Sequence, residues 1–392
     1  MEWLAIALFS IALVLVAANF YRSTRFYRAP QKLVYNREPA TTRYDFIANF
    51  EVSSFDKKNL RYQDQSSAWQ QDMSYLGDRL VRNGVQRIVL VHGTFVGDDP
   101  FGLVKQALSW TGRDTSETLL RKLEGILKKS SDKVARDNGN FTAEYATLLQ
   151  QSFADQIPVT LFNWSGENHH LARLLGAVGL IKQLSSCQNN HLLLVGHSHA
   201  AQVFALITQL LARSPIGARL DEFLRRHGLD YDQWHSNCRQ LRRRRYDFVC
   251  LGSPCQYLWH LSPRMTLLNI INHRAINPWG EGTDGILFTK QGDYVQQFGV
   301  LGSDFPALST SARDQNKELD PILGEGRNRK DWLRNYGEGM RVGPFGHTLL
   351  VDLKDDATVI PNCLKTLFGH GTYTRYEQML RLCRLVADHS YP

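Results

Sequence analysis

Cysteine is scarce, internal repeats are missing and long apolar runs are nearly so, and each shortage removes a class of protein. The six cysteines (Cys187, Cys238, Cys250, Cys255, Cys363 and Cys383) have neither CxxC nor zinc-ligand spacing. A disulfide scaffold or zinc module is therefore not expected, and the cysteines read as reduced structural thiols. No repeat or low-complexity tract suggests a solenoid or a disordered linker. The net charge of +8 and the cluster LRRRRYDFVC (241–250) lack the aromatic-interleaved basic pattern of a nucleic-acid binder. No nucleic-acid partner is expected; the arginines read as a solvated face or a contact for anionic lipid headgroups.

The single long apolar run spans Trp3 to Phe20, about the length of a tilted membrane helix. Glu2 precedes it, and Arg22, Arg25, Arg28 and Lys32 follow. The positive-inside bias predicts a single-pass membrane protein with an anchor at 1–21 and the rest of the chain in the cytoplasm. A cleaved signal peptide is the alternative, because Val16-Ala17-Ala18 resembles a cleavage site, although no Lys or Arg precedes the run. Residues 22–79 read as a tether with the first elements of a domain at 80–392.

Within that domain, apolar runs alternate with helical patterns. RIVLVHGTF (87–95), PVTLFNWSG (158–166), HLLLVGHS (191–198), YDFVCLGSP (246–254), TLLNIINH (266–273) and HTLLVDL (347–353) have the composition of strands buried on both faces. HHLARLLGAVGLIKQL (169–184) is one of the intervening helices. The order predicts an α/β fold with a mostly parallel sheet and helices on both faces. Three longer connections, 101–157, 214–245 and 285–345, read as insertions. The first carries Leu119, Leu123 and Ile126 beside Arg121, Lys122, Lys128 and Lys129, a basic amphipathic helix suited to a cap or to a lid on a bilayer.

Ser198 lies where LLLV ends and the amphipathic helical pattern from Ala200 begins. A sharp strand-to-helix turn with small residues on either side, here Gly196 and Ala200, is the setting of a nucleophilic serine, although glycine is usual at the second position. Such a serine needs a base and fixed donors for the oxyanion. HGT after the first strong strand offers the amide of Thr94, and the residue after the serine offers the amide of His199.

Strand-HGT, strand-WSG, strand-GHSHA and strand-LGSP in this order resemble the α/β-hydrolase fold, in particular bacterial serine esterases and lipases. The resemblance runs from about Arg87 to the C-terminus. It implies ester hydrolysis by a Ser-His-acid triad, in the chain order serine, acid, histidine, with no metal or organic cofactor. That order sets aside His169 and His170, while His197 and His199 flank the serine and point away from its hydroxyl. His370, in a Gly-flanked loop after the last strand, occupies the position that the fold uses for the base, and Tyr373 matches the family's H-x-x-Y segment. His347 precedes that strand and is the alternative; His389 lies later still. For the acid, Asn277 stands where Asp-Pro is often found; Asp284, in TDGI, is the expected carboxylate and Glu281 the next.

The expected activity is hydrolysis of lipid or acyl esters at a membrane. A catalytically inert α/β-hydrolase serving as an interaction module, which Asn277 would suit, and a peptidase or acyltransferase with the same triad remain open.

Overall fold

The computed structural model describes residues 66–94, 139–254, 257–273, 292–299, 303–304, 307, 309–324, 326–327, 345–351, 353 and 368–391, and the backbone of strands at 25–27 and 43–47. The run from Trp3 to Phe20 and the amphipathic segment around residues 119–129 lie outside these. Among the described residues no helix is long and apolar enough to cross a membrane.

The strands are β1 (Arg25–Tyr27), β2 (Arg43–Ile47), β3 (Arg87–Val91), β4 (Val159–Phe162), β5 (His191–His197), β6 (Arg245–Leu251), β7 (Met265–Asn272), β8 (Ser303–Asp304), β9 (Gly326–Arg327) and β10 (His347–Val351). Seven form one sheet in the order β2-β10-β7-β6-β5-β3-β4, and every pairing in it is parallel. A small antiparallel sheet sets β1 between β8 and β9. The helices are α1 (Ser67–Arg82), α2 (Ala143–Ser152), α3 (His170–Ser185), α4 (Ala200–Ala212), α5 (Pro215–Arg226), α6 (Tyr231–Leu241), α7 (Tyr294–Gly299), α8 (Thr310–Leu323) and α9 (Met379–Ser390).

The leucine-rich strands are buried on both faces because helices cover both. On β5, Leu192 and Leu194 join the core beneath α3, α4, α5, α6 and α8, while Leu193 joins the second core beneath α1, α2 and α9. The same alternation places Val89 and Val91 of β3 on one side and Ile88 and Leu90 on the other. Parts of the connections expected to be insertions are core elements. Phe141, Tyr145 and Leu149 of the α2 region, and Phe223 of α5 with Trp234 and Leu241 of α6, are buried against the sheet.

The arginine cluster is only in part the expected solvated face. Arg244 is buried and donates to the carbonyls of Leu184 (2.9 Å) and Cys187 (2.6 Å) at the end of α3. Arg242 donates to the Leu211 carbonyl of α4 at 2.7 Å. Helix C-termini leave carbonyls without intrahelical donors and carry partial negative charge, so two of the four arginines serve as caps. Cys187 and Cys383 are half-buried thiols and Cys238 and Cys250 buried ones; Cys255 and Cys363 lie outside the described residues.

Candidate active site

Parallel strands put all their C-terminal ends along one edge, and loops at that edge can converge on a ligand. Ser198 follows β5, Gly93 and Thr94 follow β3, and the loop of His370 comes after β10. His347 is the first residue of β10, so the parallel register puts it at the opposite edge, where its ring packs 5.5 Å from that of His389.

Ser198 has φ 55, a left-handed backbone conformation that a residue with a side chain adopts at a cost of about 1–3 kcal/mol. The turn is held from two sides. The Ser198 amide donates to the Leu251 carbonyl of β6 at 2.9 Å, and α4 starts at Ala200 with His199 as its N-cap. A methyl group on Gly196 would come within 2.8 Å of Ala200 Cβ and 2.6 Å of the Phe204 ring. The absent side chain at Gly196 is thus what makes room for alanine where glycine is usual. Gly93 is equally constrained: a methyl there would lie 2.7 Å from Ser198 Cβ and 3.0 Å from the His197 carbonyl. The turn after β3 therefore rests directly on the serine.

Three buried histidines hold these loops. Trp164 donates its amide to His92 Nε2 (3.2 Å) and its indole N–H to the His92 carbonyl (2.9 Å), with the two rings stacked 5.9 Å apart. Because Nε2 accepts, the His92 proton sits on Nδ1, 2.7 Å from the Gly93 carbonyl. This is the physical content of the HG and WS pair in the sequence: the tryptophan fixes the imidazole, and the imidazole fixes the glycine turn. His197 Nε2 donates to the His370 carbonyl at 2.9 Å. His199 Nδ1 and Thr94 Oγ1 share a hydrogen at 2.6 Å. Burial first, and then the charge of His370, push the His197 pKa down to about 3. Burial, followed by the charge of Arg173, likewise holds His199 well below its ordinary value. Both rings are neutral near pH 7. His169 and His170 are also spoken for. His169 Nδ1 accepts the Ala172 amide as the N-cap of α3, and His170 bonds the Tyr257 hydroxyl and the Gly324 carbonyl.

His370 has a fully buried carboxylate as its partner. Its Nδ1 donates to Asp293 Oδ2 at 2.9 Å, so Nε2 is the nitrogen left to exchange a proton with a neighbour. Its ring lies 4.5 Å from that of His197, the residue before the serine. Asp293 is fully buried and saturated: Oδ2 also accepts the Tyr373 hydroxyl (2.9 Å), and Oδ1 accepts the Gln296 amide (2.8 Å). Tyr373 accepts in turn from the Asn272 amide at 2.7 Å. Such a network holds the carboxylate in one orientation without neutralising it.

Asp293, which the sequence reading did not single out, is the carboxylate on His370 Nδ1. Asp284, Glu281 and Asn277 lie outside the described residues. An imidazole has one Nδ1 hydrogen, and Asp293 receives it. Its amide donates to the Asn272 carbonyl at 2.9 Å and Gly292 bridges His273, so the chain comes back to the end of β7 before it supplies the carboxylate. A signal was present in the sequence: Gly-Asp ahead of YVQQF is a turn and N-cap, and the Oδ1 bond to Gln296 has capping geometry.

Trp164, whose indole bonds the His92 carbonyl, lines a groove of about 410 Å³ together with Phe162, Leu171, Ala172 and Leu175, and the wall also includes Asn163, Glu167 and His169. Leu175 is half-exposed in it. Among the described residues, no group of His, Cys, Asp and Glu has the arrangement of a metal site. Compared with models of known protein families, with curated proteins and with solved structures, the chain matches none of them.

Proposed function

We propose that this chain is a serine hydrolase of the α/β-hydrolase type, cleaving carboxylic esters through an acyl-enzyme. The observation that carries this reading is the buried His370–Asp293 pair at the sheet edge where a serine is held at φ 55. In the proposed reaction His370 Nε2 accepts the hydroxyl proton as Ser198 Oγ attacks the ester carbonyl. The amides of Thr94 and His199 receive the oxyanion. Asp293 stabilises the imidazolium, which then gives its proton to the departing alcohol; water, activated by the same imidazole, releases the acid. A catalytically inert module was attractive because Asn277 cannot support an imidazolium. The bond from His370 to Asp293 weighs against that reading.

The groove that begins at Trp164 supports an apolar acyl substituent, since Trp164 both lines it and fixes the His92 turn. With the run from Trp3 to Phe20 and the basic residues after it, the reading becomes an ester hydrolase tethered to a membrane with its domain on the cytoplasmic side. The test is a fluorescent fluorophosphonate applied to the full chain in membranes. Labelling of the parent and loss of label in Ser198→Ala, with circular dichroism unchanged, is the expected result. A parent that takes no label, or a Ser198→Ala variant that still does, overturns it. Protection of the domain from protease added outside intact cells tests the orientation.

A further inference from the structure

The two amides assigned to the oxyanion belong to separate parts of the chain, one after β3 and the other at the start of α4. We propose that the His199 side chain, bonded to Thr94, is the positioning residue that holds these two amides at their working separation. This inference rests on the serine-hydrolase reading of the same site.

Backbone amides stabilise an oxyanion only when both sit at about 2.7–3.1 Å from the place where the charge will develop. The close packing of Gly93 on Ser198 sets how near the two loops can come, because atoms at van der Waals contact resist further approach. Contact alone does not stop them from parting. The 2.6 Å bond from Thr94 Oγ1 to His199 Nδ1 does, and it joins residues 105 apart in sequence that each carry one of the amides. Packing alone is a poor account of the ring. His199 is only 8% exposed and its Nε2 is buried with no hydrogen-bond partner among the described residues. A buried polar atom left unsatisfied is destabilising, a cost that a phenylalanine in that place would avoid. The benefit offsetting that cost is at the other nitrogen, in the bond to Thr94. Burial and the charge of Arg173 keep the ring unprotonated, so the bond joins neutral partners and is not broken by a charge change near pH 7.

The experiment compares Thr94→Val, Thr94→Ser and His199→Phe with the parent, measuring kcat and KM on 4-nitrophenyl butyrate and the fluorophosphonate labelling rate. Thr94→Val and His199→Phe are expected to lose about 10- to 100-fold in kcat, the cost of a misplacement near 1 Å, with KM within about threefold. Thr94→Ser, which keeps the hydroxyl, should recover most of the parental kcat. The double variant Thr94→Val/His199→Phe should be no slower than the worse single variant, because both remove one bond. Parental kcat in either single variant, losses that multiply in the double, or no recovery in Thr94→Ser would overturn the proposal while Ser198-dependent labelling of the parent left the hydrolase reading intact. Absence of labelling in the parent defeats both.

Discussion

Acidification tests the interior of this candidate site without altering Ser198. His197 is buried between the elbow and the His370 loop, and its pKa is pushed from the ordinary 6.5 to about 3, first by burial and next by the charge of His370. The unfolded chain therefore takes up a proton below about pH 6.5 that the folded chain refuses until about pH 3. In that window the unfolded state binds more protons, so stability falls as the pH falls. Integrated from about pH 7.5 to about pH 5, one such group removes roughly 2 kcal/mol. Against a total stability of about 5–15 kcal/mol, that is a large share. His170 and His199, both also held well below 6.5 with burial as the main cause, act in the same direction. The assay is urea unfolding of the full chain in mild detergent at both pH values, for the parent and for His197→Gln. Glutamine keeps an N–H for the His370 carbonyl and does not titrate. Other titrating groups are common to both proteins and cancel, so the stability difference between them should shift by roughly 2 kcal/mol in favour of the variant at the lower pH. Parallel losses in the two proteins would refute the assignment of His197 as a buried neutral group.

Asp293→Asn should lower kcat by about 10⁴-fold, since an amide favours the wrong tautomer of His370, whereas Asp284→Asn should stay close to the parent; ester kinetics on matched, folded samples decide, and the reverse ranking would return the acid to Asp284. Gly93→Ala places a methyl 2.7 Å from Ser198 Cβ and is expected to cost at least about 100-fold in kcat with circular dichroism unchanged, so a fully active variant would mean that the two loops are not in contact. In Leu175→Asp, KM for a medium-chain ester should rise several-fold relative to acetate as apolar surface in the groove is lost; an equal effect on both esters would exclude the groove from substrate binding.

How much of this was legible in the sequence follows from which forces act locally. Strands β3, β5, β6 and β7 were readable because a run such as LLLV is stable only where both faces are covered, and the chain states that directly. The turn at Ser198 was readable because it needs small residues at fixed offsets. The position of His370 after the last strand was readable together with Tyr373, whose hydroxyl reaches the same carboxylate. The roles of the other histidines were not. His92, His197 and His199 are fixed by partners 72, 173 and 105 residues away, and nothing in the neighbouring sequence names those partners. The arginine cluster misled for a related reason. A run of arginines looks the same in sequence whether water or helix-end carbonyls satisfy it, and at Arg242 and Arg244 it is the carbonyls.

The carboxylate on His370 shows most clearly where local reasoning runs out. A search for a carboxylate soon after β7 meets Asn277, Glu281 and Asp284 before it meets Asp293, and sequence proximity favours the earlier residues. Proximity in sequence does not decide which carboxylate reaches His370, because a loop can travel far and still return to the strand end that it left. Here the return is made by backbone: the Asp293 amide on the Asn272 carbonyl, and Gly292 bridged to His273. Backbone bonds leave no side-chain pattern to read. What the sequence does carry is a requirement of the buried charge. A carboxylate with no exposure must have its lone pairs filled, and an aspartate that begins a helix receives an amide three residues on at no extra cost in side chains. Of the acidic residues between β7 and α7, Asp293 alone directly precedes that helix, and the same position that caps α7 turns its other oxygen toward His370 and Tyr373.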